Sequence, residues 1–365
     1  MTKPSLTVLI MAAGTGGHIF PALSVARELQ LLGARVEWLG TPSGFEHELL
    51  KNSEIRLHTV PVHGLRGKGL VRLLYSPFML VRAFWESLKV LRRVRPHCVL
   101  GMGGFVTGPA GLAARTMGMP LLIHEQNAVV GLTNRLLFPI SVRAMESFPS
   151  TFPAAEKVSH TGNPVRREIL ELCHSSPPSD SRHRPLKLLV LGGSLGAGVL
   201  NKILPELLVS MPFESIQTLH QTGRLQFSQT LQRYKELELD TDRAHRVVAF
   251  IDEISEAYRW ADIVLCRSGA STVCELAVAS KPAIFVPYPF HKDRQQLRNA
   301  RWLHAAGAAE VIEQNELNSV RLAQTLCRFV GDHGRMREMG QKASKVAIRD
   351  AHSRIACLCL EAARG

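Results

Sequence analysis

Residues 6–18 read LTVLIMAAGTGGH, and residues 186–198 read LKLLVLGGSLGAG. Each stretch is an apolar run of strand length that ends in a glycine-rich turn. Helical spacing of apolar positions follows both, over 21–32 and over 199–209. Strand, glycine turn and helix together open a βα unit. The chain carries that opening once in each half.

Further strand candidates alternate with helical patterns around these anchors. They fall at 35–39, 57–60, 98–101 and 121–124, then at 216–221, 247–250, 263–266 and 283–287. The alternation predicts parallel sheets in doubly wound α/β domains, here two Rossmann-like domains facing across a cleft. Residues 1–170 form the first domain and 186–342 the second. Between them, 171–185 contains Ser-Ser-Pro-Pro-Ser-Asp-Ser at 175–181, has no apolar period and reads as a linker. The last stretch, 343–365, reads as one helix that the sequence assigns to neither domain.

Composition supports a globular reading. Of 365 residues, 45% are hydrophobic and 21% charged, which excludes a disordered chain. With no uninterrupted run of about 18 apolar residues, no spanning helix is expected. Lys3 followed by the apolar run 6–13 has the outline of a short signal peptide, but a strand feeding a glycine turn explains it better. Cysteines stand at 98, 173, 266, 274, 327, 357 and 359, without CxxC pairs or zinc spacing, so buried thiols in a reducing compartment are expected. The formal net charge of +13 suits an anionic partner: nucleic acid, an acidic lipid surface or a phosphorylated substrate.

The chemistry is expected outside the carboxyl ends of the strands. Four glycine turns stand there, at 14–17, 101–104, 192–196 and 268–272. Backbone N–H groups in such turns approach phosphate, and the helix dipole adds to the attraction. None is a complete GxGxxG fingerprint or a Walker loop. A nucleotide diphosphate with neither a hydride nor a transferable γ-phosphate remains. His18 follows the first turn directly, where it is either a general base or a group bonding the helix start. His124, Glu125, Gln126 and Asn127 put four polar side chains at a strand end. Asn127 suits a sugar hydroxyl, and Arg166 and Arg167 close the first half, as cleft-facing groups or as a solvated pair. Glu275, a carboxylate near the start of a helix, suits ribose hydroxyls or is a surface charge. Gln295 and Gln296, in a polar run after 283–287, offer paired donors and acceptors.

These segments resemble, in order and through nearly the whole chain, the MurG family, the bacterial transferases that add N-acetylglucosamine to lipid I in peptidoglycan synthesis. The resemblance rests on Gly14-Thr15-Gly16-Gly17-His18, Gly101-Met102-Gly103-Gly104, His124-Glu125-Gln126-Asn127, Gly162-Asn163-Pro164-Val165-Arg166, Gly192-Gly193-Ser194, His220-Gln221-Thr222-Gly223, Cys266-Arg267-Ser268-Gly269-Ala270 and His291-Lys292-Asp293-Arg294-Gln295-Gln296. It implies a GT-B fold and inverting transfer from UDP-N-acetylglucosamine to the 4-hydroxyl of the N-acetylmuramoyl unit of lipid I, giving lipid II. Carried over by motif, the donor site comprises Thr15, Gly16, Gly17, Asn127, Arg166, Ser194, Ile251, Ala270, Ser271, Thr272, Val273, Cys274, Glu275 and Gln295. Glu275 would hold the ribose, Ile251 the uracil through its backbone, and Ser194 with Arg166 the diphosphate. Asn127 and Gln295 would read the sugar, and His18 would be the base. Leu195 departs from members that carry Gln there. With no DxD-like motif, neither metal nor other cofactor is expected.

A polyprenyl acceptor implies a membrane surface, here the cytoplasmic face of the bacterial inner membrane. Over 65–95, Arg66, Lys68, Arg72, Arg82, Lys89, Arg92, Arg93 and Arg95 face a single Glu86 and are interleaved with Leu70, Leu73, Leu74, Phe78, Met79, Leu80, Phe84 and Trp85. Such interleaving suits peripheral contact with anionic lipid; the plainer alternative is an amphipathic helix with a solvated basic face. A UDP-N-acetylglucosamine 2-epimerase would share the donor site without needing that stretch. A nucleic-acid binder would need aromatic or recognition-helix signals, and aromatic content is only 6%.

Overall fold

The computed structural model describes residues 6–51, 53–62, 70–174, 184–193, 196–211 and 215–365. Two compact units divide the chain, one comprising Met1–Arg166 with Ile348–Gly365, the other Arg167–Ala347.

The first unit holds strands β1 (Thr7–Met11), β2 (Arg35–Gly40), β3 (Arg56–Thr59), β4 (Cys98–Gly101), β5 (Leu121–Glu125), β6 (Arg143–Glu146) and β7 (Val158–His160). They form one sheet in the order β3-β2-β1-β4-β5-β6-β7. Every pairing is parallel, with Val8 opposite Val36 on one side and Cys98 on the other. Alternate residues of β1 face different cores. Val8 and Ile10 pack with helix α1 (Gly16–Leu31), while Leu9 and Met11 join Ala83, Leu88 and Leu91 of a helix at Leu70–Val94. Burial on both faces is what an uninterrupted apolar strand requires. It also settles the apolar run 6–13 as a central strand.

The remaining helices are α2 (Glu46–Leu50), α3 (Leu70–Val94), α4 (Thr107–Thr116), α5 (Leu132–Leu137), α6 (Arg167–Leu170), α7 (Gly198–Ser210), α8 (Phe227–Glu236), α9 (Ile254–Trp260), α10 (Ala270–Val278), α11 (Gln295–Ala305), α12 (Ser319–Cys327), α13 (His333–Val346) and α14 (Ala351–Arg364). The second unit's sheet runs β10-β9-β8-β11-β12-β13, all parallel, from β8 (Leu186–Leu191), β9 (Ile216–Gln221), β10 (His245–Val248), β11 (Ile263–Cys266), β12 (Ala283–Phe285) and β13 (Ala309–Val311).

Several elements differ from the sequence reading. α1 starts at Gly16 rather than 21 and runs through a buried Pro21, which sets His18 on its first turn. The stretch read as one helix over 343–365 is two: α13 ends at Val346, Ala347 is extended (ψ 133°), and α14 begins at Ala351. The break lets Ile355, Ala356, Cys359 and Leu360 enter the core of β1, β4 and α1. Strand β10 is two residues earlier than 247–250. As an edge strand it takes an exposed Arg246 and a half-exposed His245, while Phe250 lies beyond it, exposed. Strands β6, β7 and β13 escaped the sequence reading because each is short and carries polar residues. Most of the 171–185 linker (175–183), Cys173's side chain and those of Leu70, Arg72, Leu73 and Leu74, and Leu65, Arg66 and Lys68 lie outside the described residues. Of the described cysteines all are free; Cys98, Cys266, Cys274 and Cys359 are buried, but Cys327 and Cys357 are exposed.

Candidate active site

In both sheets the strand order reverses beside the first strand, between β1 and β4 and between β8 and β11. Ligands bind such sheets at these reversals, past the strands' carboxyl ends. Three segments meet past β1, β4 and β5 of the first unit: the turn leading into α1, the turn 102–104, and the run after Glu125.

His18 is the centre of that meeting. Its Nδ1 lies 3.0 Å from Oε1 of Gln126, 108 residues away in sequence. The ring is thus tied across the sheet rather than to the start of its own helix, where Thr15 O accepts from the His18 and Ile19 amides. The turn after β4 forms the floor. Gly103 has φ +103°, and a Cβ there would stand 2.4 Å from His18 Nδ1. Gly104 has φ +87°, and its Cβ would meet Ala13 O at 2.3 Å. Only glycine permits that backbone and this approach. Thr107 fastens the same turn, its hydroxyl reaching Gly103 O at 2.9 Å and Met11 O at 3.2 Å.

Gln126 Nε2 donates to Met102 O at 2.8 Å and lies 3.1 Å from His124 Nδ1. His124 Nε2 in turn reaches Gly162 O at 3.0 Å. His124 is fully buried, and burial holds its pKa down at about 4, so it is neutral at pH 7. Glu125, also buried, collects the Asn127 amide at 3.1 Å, Asn127 Nδ2 at 3.2 Å, Gly131 N at 3.0 Å and Asn134 Nδ2 at 2.9 Å. One carboxylate therefore fixes the loop 127–131, and the Asn127 amide group read as a sugar contact is bonded to it. Arg166 lies near α1, its guanidinium 5.2 Å from the centre of the Phe20 ring, which packs against Gly16. Thr15, Gly16, Gly17, His18 and Arg166 are thereby gathered around one helix start.

In the second unit the turn after β8 needs glycine for contact reasons. Gly196 has φ +81°, and a Cβ there would press Thr222 O at 2.3 Å. Ser194 and Leu195 lie outside the described residues. Behind the turn, Asn201 Nδ2 donates to Thr222 O at 2.9 Å and to Gln226 Oε1 at 2.6 Å, while its Oδ1 is 3.0 Å from His220 Nε2. His220 Nδ1 meets Tyr234 Oη at 3.0 Å. Burial pushes the His220 pKa down to about 3.

Past β11, Gly269 caps α10, which carries Ala270, Ser271, Thr272, Val273, Cys274 and Glu275. Glu275 is largely buried, and Tyr258 Oη donates to its Oε2 at 3.2 Å. Tyr258 was not singled out from sequence, where an aromatic in a short helix reads as core. Ile251 lies half-buried just before α9, the helix that supplies Tyr258. Gln295 begins α11, and this helix is tied to the turn by Ser268 Oγ donating to Gln296 O at 2.8 Å and Asn299 Nδ2 to Ser268 O at 3.1 Å. Arg267 clamps the next loop through Val286 O at 3.0 Å, Pro287 O at 3.2 Å and Gln314 Oε1 at 2.7 Å.

Residues 8–145 match the glycosyltransferase family 28 N-terminal domain, and residues 187–355 match its C-terminal domain. The chain belongs to glycosyltransferase family 28. Within that family it is 47% identical over 98% of its length to a Pseudomonas paraeruginosa protein, covering 99% of it, and equally so to one from Azotobacter vinelandii. Both are named UDP-N-acetylglucosamine–N-acetylmuramyl-(pentapeptide) pyrophosphoryl-undecaprenol N-acetylglucosamine transferase. Among solved structures, Acinetobacter baumannii MurG superposes with a TM-score of 0.81 at 37% identity, over 98% of this chain and 99% of that one. A UDP-N-acetylglucosamine 2-epimerase reaches 0.67 at 13% identity, which shows a shared fold and nothing more. The family 28 match and the MurG likeness agree with the two-domain GT-B expectation.

Proposed function

We propose that this family 28 enzyme moves N-acetylglucosamine from UDP-N-acetylglucosamine to the 4-hydroxyl of N-acetylmuramoyl in lipid I, with inversion, producing lipid II and UDP. The near-full-length identity to transferases of that name supports the substrates. The observation that carries the chemistry is His18, held by Gln126 through Nδ1 so that Nε2 is the nitrogen left to act as a base.

In this reading His18 Nε2 takes the proton of the acceptor hydroxyl as its oxygen attacks C1 of the donor sugar. The bond from C1 to the β-phosphate oxygen breaks, and its electron pair leaves with UDP. Negative charge then grows on the diphosphate, where glycine-turn amides, helix N-termini and Arg166 stabilise it. Ser194 shares that task. Glu275 holds the ribose, Ile251 the uracil, and Asn127 with Gln295 the sugar. Tyr258, donating to Glu275 Oε2 at 3.2 Å, orients that carboxylate.

The lipid acceptor is met by α3 in peripheral contact with anionic lipid on the cytoplasmic side of the inner membrane. No helix among the described residues is long and apolar enough to cross a membrane. The outward face of α3 supports the reading: Phe78, Val81 and Trp85 are more than half exposed, with Arg82, Arg92 and Arg93 beside them. Its opposite face, Ala83, Ser87, Leu88 and Leu91, is buried. Incubation with labelled UDP-N-acetylglucosamine and a lipid I analogue tests the proposal. A disaccharide lipid is expected; conversion of the donor to its 2-epimer without transfer would overturn it.

A further inference from the structure

We infer that Gln126 and His124 are positioning residues that fix the tautomer of His18; the inference rests on the reading of His18 as the base and deepens it. Two backbone carbonyls, which can only accept, terminate the hydrogen-bond network that joins His18, Gln126 and His124. Met102 O requires a donor, so the 2.8 Å partner on Gln126 is the amide nitrogen. That orientation turns Oε1, an obligate acceptor, toward His18, and Nδ1 of His18 must carry the proton across the 3.0 Å contact. The second amide hydrogen of Gln126 points at His124 Nδ1, 3.1 Å away, so that nitrogen accepts. His124 then bears its proton on Nε2 and donates it to Gly162 O at 3.0 Å. Every donor and acceptor in the network is matched in this one arrangement.

The reversed arrangement fails at both ends. Flipping the Gln126 amide would set its oxygen against Met102 O and turn an N–H donor toward His18 Nδ1. Moving the His124 proton to Nδ1 would leave Gly162 O facing a lone pair. Burial keeps His124 neutral, which protects the relay from protonation at physiological pH. The Gly103 backbone packs closely against the imidazole. The result is a His18 whose Nε2 lone pair is presented before any substrate arrives, the role an orienting carboxylate plays in hydrolase triads. A neutral amide in that position orients the ring but stabilises the imidazolium less than a carboxylate would, so the ring gives the proton up more readily after the transfer.

The test is the tautomer itself, read on the full chain labelled with ¹⁵N-histidine by two-bond ¹H–¹⁵N correlation, with the His18 signals identified by their loss in His18→Gln. The expected wild-type pattern is a protonated Nδ1 and an unprotonated Nε2. Gln126→Met, close in size and unable to bond, is expected to mix the tautomers and to lower kcat about tenfold to a hundredfold, no more than the low end of the roughly 10²–10⁴-fold cost of losing a base altogether, with donor KM unchanged. Gln126→Glu keeps an acceptor toward His18 and is expected to retain the Nδ1-protonated form. A wild-type His18 protonated at Nε2 overturns the inference without any variant. An unchanged spectrum in Gln126→Met overturns it as well. Should His18→Ala retain turnover, the base reading fails instead, while the tautomer measurement stands.

Discussion

Gly103→Ala isolates the geometry of His18 from its chemistry. The new Cβ would lie 2.4 Å from His18 Nδ1, whereas ordinary contact begins at 3.4 Å, so the ring must retreat by about 1 Å or the turn must shift. Either movement breaks the 3.0 Å bond to Gln126. A misplacement of about 1 Å costs on the order of 10² in rate, or about 3 kcal/mol of transition-state stabilisation. The φ of +103° adds strain of about 1–2 kcal/mol to the fold. Gly118→Ala supplies the control: its φ is +75°, but nothing lies within 4 Å of the new Cβ. Both variants should melt a few degrees early, and only Gly103→Ala should lose kcat, with donor affinity by calorimetry unchanged in both. If Gly103→Ala keeps a kcat within threefold of Gly118→Ala, on the order of 0.7 kcal/mol, the placement of His18 against this turn does not matter for turnover.

Three further outcomes follow from the site and the surface. Glu275→Ala should weaken donor binding by about 1.5–3 kcal/mol per lost charged bond, and Tyr258→Phe by less; calorimetry with UDP reads both, and equal affinities would remove Glu275 from the ribose. His124 and His220 are held neutral down to about 4 and 3 in the folded protein, against about 6.5 when unfolded. The unfolded chain therefore binds more protons between those limits, so stability is complete above about pH 6.5 and falls as pH drops toward 3, by up to about 1.4 kcal/mol per unit for each histidine. Urea unfolding across that range should show the slope, and His220→Gln should reduce it. On α3, replacing Arg82, Arg92 and Arg93 by Glu should abolish binding to anionic vesicles, at about 1 kcal/mol per charge removed, whereas Phe78 and Trp85 to Ser should weaken it even at high salt. Vesicle binding by both variants at the parent's level would make this face a solvated one. Lys89 is left out because Glu86 pairs with it at 2.9 Å.

The fold was legible because its deciding strands are buried on both faces. Such strands have to be continuous apolar runs, and the glycines after them are forced by close contacts: Gly104 against Ala13 O and Gly196 against Thr222 O. Edge and short strands were harder, since β6 carries the charged Arg143 and Glu146, with Glu146 accepting from the amides of Ser150 and Phe152. The break at Ala347 was illegible from helical periodicity, which runs on through it; what breaks the helix is the need to re-enter the first unit's core. His18 was visible as a histidine after a glycine turn, and Glu275 as a carboxylate on a helix. Their partners were not. Gln126 and His124 meet His18 only because β4 lies between β1 and β5, a pairing that sequence spacing does not encode. Tyr258, seventeen residues from Glu275, is hidden for the same reason.

Inverting transfer to lipid I leaves its mark in the anomeric configuration of the product. UDP-N-acetylglucosamine labelled with ¹³C at C1 is incubated with a short-chain lipid I analogue, and the product is followed by proton–carbon NMR. A β-linked disaccharide and UDP in equal amounts are expected, both lost in His18→Ala. An α-linked product, or UDP released with free sugar or a 2-epimer while the acceptor stays unmodified, would contradict inverting transfer.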